Sequence, residues 1–178
     1  MIAAVVLAAG EASRFGAAKQ RLLLGDVLAR LAEAPVDEIV VVEGAYELAL
    51  RGSEPRSVRL VRCADWERGP GASLRCGLAA LGDDVEAAVV VLADGPDLAA
   101  ESVGRVLATW RARRGELVAA SYGGARGHPL VLARGAWGDV PDDGLRDRKP
   151  VLVPCDDLGA PGDVDTPADL PERFREPG

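Results

Sequence analysis

The amino-acid sequence predicts an α/β protein with a mostly parallel central sheet covered by helices on both faces. Two observations carry that prediction. Short apolar runs rich in β-branched residues alternate along the chain with segments of helical periodicity, and no internal repeat or low-complexity tract breaks the rhythm. Such alternation is what strand–helix–strand crossovers require, and strands buried on both faces read as unbroken apolar runs. With 178 residues, 48% of them hydrophobic, the chain suits a single domain spanning 1–178 around one sizeable core.

The elements follow in order. Residues 2–7 form the first strand, and Gly10 and Gly16 let the chain behind it turn and approach a ligand closely. A helix over 22–34 ends at Pro35. Strands at 38–42 and 58–61 precede a second glycine-containing loop from Asp65 to Ser73, where Ser73 is placed to cap a helix over 73–81. A strand at 88–92 leads into Asp94, Gly95, Pro96 and Asp97, then a helix over 102–113 that Gly115 is placed to end. Strands at 117–120 and 151–153 bracket a stretch, 134–150, of Gly, Pro, Asp and clustered charge that reads as a solvated connection or as a lid over the site.

Charge and cysteine content narrow the function classes. A formal net charge of −7 disfavours nonspecific attraction to nucleic acid or anionic lipid, while a small anionic ligand needs only a local positive pocket. No apolar run approaches bilayer length, and Met1 leads straight into a strand-like segment, which together predict a cytoplasmic protein without a membrane partner. Cys63, Cys76 and Cys155 are odd in number and widely spaced, so they read as reduced thiols.

In open α/β sheets, ligands sit beyond the carboxyl ends of the strands, so the residues just after each strand carry the chemistry. After the first strand stand Arg14, a forked donor, and Lys19, a compact charge, around backbone amides that can face phosphate oxygens. Neither a P-loop nor a dinucleotide fingerprint is present there, and a plain strand–helix turn fits the loop equally. Asp94 suits a hard divalent cation such as Mg²⁺, or alternatively the turn it opens. Asp165, in Asp163-Val164-Asp165-Thr166-Pro167, supplies a second carboxylate beside a helix start in which Thr166 is the cap and Pro167 the first residue. The one histidine, His128, supports no nucleophilic triad.

Taken together these segments resemble the MobA-like nucleotidyltransferases, the family of the molybdenum cofactor cytidylyl- and guanylyltransferases. The family's L-A-[AG]-G-x-[SG]-x-R-x-G-x-x-K is matched by Leu7, Ala8, Ala9, Gly10, Arg14, Gly16 and Lys19, with Ala12 where serine or glycine is usual. Its W-x-x-G-x-x-x-S-L-x-x-G is matched by Trp66, Gly69, Ser73, Leu74 and Gly77, with Cys63 where asparagine is common. Asp94 and Pro96 match D-x-P; Gly127, His128 and Pro129 match G-H-P; and Asp163 to Leu170 match D-[IV]-D-T-P-x-D-L. The stretch between Lys19 and Val36 is shorter than the family norm.

The resemblance implies a three-layer Rossmann-like nucleotidyltransferase fold and Mg²⁺-dependent transfer of a nucleoside monophosphate to a phosphorylated acceptor such as the molybdenum-pterin cofactor, with release of pyrophosphate. It further implies that Leu7, Ala8, Ala9, Gly10, Gly71 and Ser73 line the nucleotide site, with Arg14 and Lys19 on the triphosphate. Asp94 and Asp165 would hold the metal, with Arg14, Lys19 and Asp94 catalytic, and Tyr122, His128 and Arg146 would meet the acceptor. The L-A-A-G opening, G-H-P and the run from Asp142 to Arg146 resemble the cytidylyl branch, which makes CTP the expected nucleotide. Two alternatives stay open: an NAD(P)H-dependent reductase of a heteroaromatic substrate, of the nicotine blue oxidoreductase type, and a non-catalytic nucleotide or cofactor carrier.

Overall fold

The computed structural model describes residues 1–11, 15, 19–50 and 58–175. Within it, β1 (Ile2–Ala8), β2 (Glu38–Glu43), β3 (Val58–Arg62), β4 (Ala87–Leu92), β5 (Leu117–Tyr122), β6 (Ala125–Ala133) and β7 (Val151–Pro154) form one sheet in the order β3-β2-β1-β4-β6-β5-β7. Every neighbouring pair is parallel except those made by β6, which runs antiparallel to both β4 and β5. Three helices, α1 (Lys19–Glu33), α2 (Pro70–Ala79) and α3 (Ala100–Arg113), cover the two faces.

Alternation along β1 explains the layering. Ala4, Val6 and Ala8 pack with Leu24, Val27, Leu28 and Leu31 of α1 and with Val103, Val106, Leu107 and Trp110 of α3. Ala3 and Val5 point the opposite way, into a cluster with Leu74 and Leu78 of α2 and with Ala136, Val140 and Leu145. Gly77 lets α2 lie close on the sheet: a Cβ there would fall 2.5 Å from Val5 and 2.8 Å from Val42.

The chain moves from β1 to β2 on one side and places β4 on the other, so the strand order reverses at β1. A crevice opens beyond the carboxyl ends of β1 and β4, the place where this architecture binds ligands.

Several local expectations change. Strand β6 lies where the sequence pattern gives no strand, because Gly127 and Pro129 interrupt it; Pro129 has no N–H to give a ladder. The strand accommodates it at an irregularity where the β5–β6 register shifts between Ala119 and Ser121. Helix α2 begins at Pro70 with Gly69 at its N-cap, which puts Ser73 inside the first turn rather than at the cap. Helix α3 is ended by Arg114 rather than Gly115: Arg114 adopts the left-handed conformation, donates its N–H to the Trp110 carbonyl and lays its guanidinium over the Trp110 ring.

The stretch 134–150 is a packed connection rather than a lid. Val140 and Leu145 are buried, Arg126 of β6 donates to the carbonyls of Leu145 and Arg148, and Arg148 donates to those of Ala136 and Asp139. Among the described residues no helix is long and apolar enough to cross a membrane.

Candidate active site

Lys19 opens α1 at the carboxyl end of β1, and its side chain is buried, at 6% exposure. Its ammonium lies 2.9 Å from Asp94 Oδ2 and 3.7 Å from Asp165 Oδ1 and donates to the Val164 carbonyl. Three segments far apart in sequence thus meet at one nitrogen. Asp94 sits just past β4, where the Ala93 N–H bonds the Leu7 carbonyl and keeps the β4 end alongside β1. Asp165 is brought alongside by the tail: Asp97 N–H donates to the Pro161 carbonyl at 2.9 Å and Val164 N–H to the Asp94 carbonyl at 3.2 Å. A capping box around Thr166, whose N–H and hydroxyl both reach the Asp169 carboxylate, fixes the chain that follows. Arg173 then ties the tail to Asp26 of α1 at 2.9 Å and to Asp97 at 2.8 Å.

Next to this cluster is a cleft of about 390 Å³ lined by Leu7, Ala9, Gly10, Trp66, Glu67, Gly69, Pro70, Ser73 and Leu92. Its first wall is the turn after β1, where the Gly10 carbonyl accepts a hydrogen bond from Gln20 Nε2 at 2.8 Å. Its second wall is the turn into α2. Trp66 reaches the cleft because residue 44 is glycine; a Cβ there would lie 2.6 Å from the indole. The second wall is backed by residues 141–144, since Gly71 N–H donates to the Asp142 carbonyl and a Gly71 Cβ would fall 1.7 Å from the Pro141 carbonyl oxygen. Asp142 also holds Arg68 at 3.1 Å and pairs with Arg75, and these two guanidiniums, Arg75 first, keep its carboxyl below the usual carboxylate range.

Behind Leu92 a small hollow of about 30 Å³ is lined by His128 with Val91, Gly95, Leu98, Pro161 and Gly162. Leu92 is the wall it shares with the cleft. Burial, helped by the charge of Arg126 and opposed by Asp94, pushes the His128 pKa down to about 4, so the imidazole is neutral at pH 7. Tyr122 donates its hydroxyl to the His128 carbonyl at 3.0 Å, and burial holds that phenol above its ordinary pKa. A larger hollow, about 470 Å³ between α1 and residues 47–49, contains none of the residues that the motifs single out.

The structure therefore brings together Lys19, Asp94 and Asp165, and sets Leu7, Ala9, Gly10 and Ser73 around the adjoining cleft. Ala8 points into the α1–α3 core, and Gly71 is covered by residues 141–144. Arg146 is exposed on the loop beyond them, and Arg14 lies outside the described residues. Gln20, Arg68, Arg75, Arg126 and Arg173 escaped the sequence reading. Only the capping of helix and strand ends near motif residues could have hinted at them, because a lone arginine or glutamine carries no signal of its partner.

The reading of three reduced thiols is corrected in part. Cys63, just past β3, and Cys76 of α2 form a disulfide with their Cα atoms 5.7 Å apart, because the turn through Trp66 and Gly69 folds the helix back beside the strand end. Cys155 is a free, buried thiol.

Residues 4–150 match the MobA-like NTP transferase domain. The chain belongs to that family. Within the MobA-like fold, Rv0371c from Mycobacterium tuberculosis H37Rv is similar at 28% identity and a TM-score of 0.75, covering 95% of this chain and 95% of its own. A structure described as Rv0371C in complex with manganese aligns at 27% identity and a TM-score of 0.70, over 94% of this chain and 95% of that one. The Methanothermobacter nucleotidyl transferase Mth528, at 22% identity and a TM-score of 0.70, covers 95% of this chain and 94% of its own and shares the fold. No curated protein sequence matches the chain. Asp165 and Arg173 lie beyond the matched stretch.

Proposed function

We propose that this MobA-like domain transfers CMP from CTP to a phosphorylated acceptor, of the molybdenum-pterin kind, and releases pyrophosphate. The observation that carries the reading is the meeting of Lys19, Asp94 and Asp165 at one point beside a cleft at the carboxyl ends of β1 and β4. A basic group and paired carboxylates next to a nucleotide-sized cleft are the parts that phosphate chemistry needs.

The donor set fits a divalent cation. Two carboxylates and a main-chain carbonyl are hard oxygen donors, and Mg²⁺ or Mn²⁺ on a nucleotide takes only one or two carboxylates from the protein. Asp94 and Asp165 would hold it, and the ion would supply charge neutralisation at the phosphate oxygens.

The remaining work belongs to the chain. Leu7, Ala9, Gly10 and Ser73 would line base and ribose, with Ala8 supporting them from the core side and Gly71 holding the α2 turn in place. Lys19 and Arg14 would hold the triphosphate, so that an acceptor phosphate oxygen attacks the α-phosphorus in line. The new oxygen–phosphorus bond forms as the bond to the β-phosphate bridging oxygen breaks, and the electron pair leaves on pyrophosphate. His128, neutral and half-buried behind Leu92, would meet the acceptor with Tyr122 holding its backbone, and Arg146 would add charge from the loop. The CTP preference rests on the L-A-A-G opening, G-H-P and the run from Asp142 to Arg146.

The test is a panel of four nucleoside triphosphates with and without Mg²⁺ or Mn²⁺, read first by thermal shift and then by pyrophosphate release with a molybdenum-pterin acceptor. Metal-dependent release with CTP foremost is expected. Release with GTP foremost would overturn the nucleotide assignment. NAD(P)H oxidation without nucleotide turnover, or tight nucleotide binding with no turnover on any acceptor, would overturn the transfer itself.

A further inference from the structure

The Lys19 ammonium donates to Val164 O, lies 2.9 Å from Asp94 Oδ2 and is within ion-pair range, 3.7 Å, of Asp165 Oδ1. Protein oxygens thus already surround the group that a phosphate would claim. The Lys19 side chain is also almost wholly buried, whereas water reaches Asp165, whose side chain is 42% exposed. From this geometry we infer that Lys19 is the internal counter-ion of the metal site: it occupies the position between the two carboxylates and leaves it only when a triphosphate offers it other oxygens. The inference rests on the reading of Asp94 and Asp165 as metal-holding residues and adds a coupling between metal and nucleotide binding.

The reasoning is electrostatic. A divalent cation placed between Asp94 and Asp165 would lie within a few ångströms of the buried ammonium, too close for water to screen fully, so the two cations disfavour one another in this arrangement. Metal alone must therefore displace Lys19 into a site with no replacement acceptors. A triphosphate supplies them, since its oxygens can take both the ammonium and the metal. Metal and nucleotide then bind with positive coupling, and linkage makes the coupling reciprocal. The protein without nucleotide keeps the charge of its two carboxylates partly offset without needing a metal ion.

The experiment is a titration of nucleotide-free, EDTA-treated protein with Mn²⁺ alone, read by the EPR signal of free Mn²⁺ and by thermal shift. Wild type is expected to bind weakly and to gain little in Tm. Lys19→Met keeps the stem and removes the charge; it is expected to bind Mn²⁺ at least about tenfold more tightly, and its Tm, lowered in EDTA, should recover with Mn²⁺. Lys19→Arg keeps the charge and should stay as weak as wild type. Adding Asp94→Asn to Lys19→Met should abolish the gain.

Equal Mn²⁺ affinity in wild type and Lys19→Met, lost on Asp94→Asn, would overturn the counter-ion role and leave the metal site standing. Mn²⁺ binding that ignores Asp94 in every variant would overturn the site reading itself. Should Lys19→Met fail to fold, wild type decides alone: a dissociation constant for Mn²⁺ below about 10 μM without nucleotide overturns the inference.

Discussion

On one side of the crevice, Gly69 and Gly71 lie so close to residues 141–144 that neither has room for a side chain; on the other, the side chains of Lys19, Asp94 and Asp165 meet chiefly through charge. The glycine wall is set by backbone. Its hydrogen bonds are short in reach, its shape is filled, and the Cys63–Cys76 disulfide joins the end of β3 to the helix that carries it. The charged wall is assembled from the start of α1, the end of β4 and the tail. A wall of backbone keeps its shape with or without ligand, whereas a wall of charge can change partners. That division suits a site that must present a fixed surface to a base and a rearrangeable one to polyphosphate.

The largest expected effect comes from spoiling the backbone wall. Gly71→Ala puts a methyl 1.7 Å from the Pro141 carbonyl oxygen and 2.9 Å from the Gly144 nitrogen, and neither is the flexible end of a side chain. The overpacking is expected to cost more than about 3 kcal/mol and to lower Tm by on the order of 10 °C. A Tm within a degree of wild type would show that residues 141–144 yield easily, and the contrast between the walls would fail.

Next comes the charged wall, where function should suffer and stability should not. Asp94→Asn keeps an acceptor for Lys19, and Asp165 still faces the ammonium, so the fold should change far less than with Gly71→Ala. Turnover in the pyrophosphate-release assay is expected to fall about a hundredfold or more, the scale of losing one electrostatic stabiliser. Wild-type-like turnover would remove Asp94 from the metal-holding role.

How far each wall could be read in advance follows from the same contrast. The strands, the helices and the turn residues of both walls stand in the sequence because periodicity and glycine spacing are local signals. Asp94 was readable as a candidate because it stands at a strand's carboxyl end beside Gly95 and Pro96, and Asp165 because it falls in the Asp163–Leu170 motif. Their partners were not. Nothing near Lys19 says that it reaches Val164, and nothing near Arg126 says that it holds Leu145 and Arg148, because those choices depend on which segments the topology brings together. β6 was hidden for a related reason: Pro129 breaks the strand pattern locally, while β4 and β5 on either side form it globally.

His128 stands between the walls, sharing Leu92 with the cleft, and its titration gives the next effect in size. Its pKa falls from the ordinary 6.5 to about 4 in the folded protein, chiefly through burial. Above pH 6.5 the imidazole is neutral in both states and its contribution to stability is fully present. As pH falls from 6.5 toward 4 the unfolded chain takes up a proton that the folded chain refuses, so that contribution is lost. His128→Gln should therefore flatten the decline in urea-measured stability across that window by on the order of 2 kcal/mol. An unchanged slope would place the imidazole in contact with solvent in the folded protein.

The smallest expected effect tests whether charge alone secures the tail. Arg173 joins Asp26, Asp97 and the Pro96 carbonyl, but its side chain is 44% exposed, and water screens pairs of this kind. Arg173→Gln is expected to cost no more than about 1 kcal/mol, and 1 M salt should erase most of the difference, since screening acts there over about 3 Å. A larger cost that survives high salt would mean that packing, including the guanidinium over the Phe174 ring at 4.8 Å, secures the tail as firmly as glycine contacts secure the other wall. In that case Asp165 would be held beside Asp94 by shape, and rearrangement at the charged wall would be confined to the Lys19 side chain.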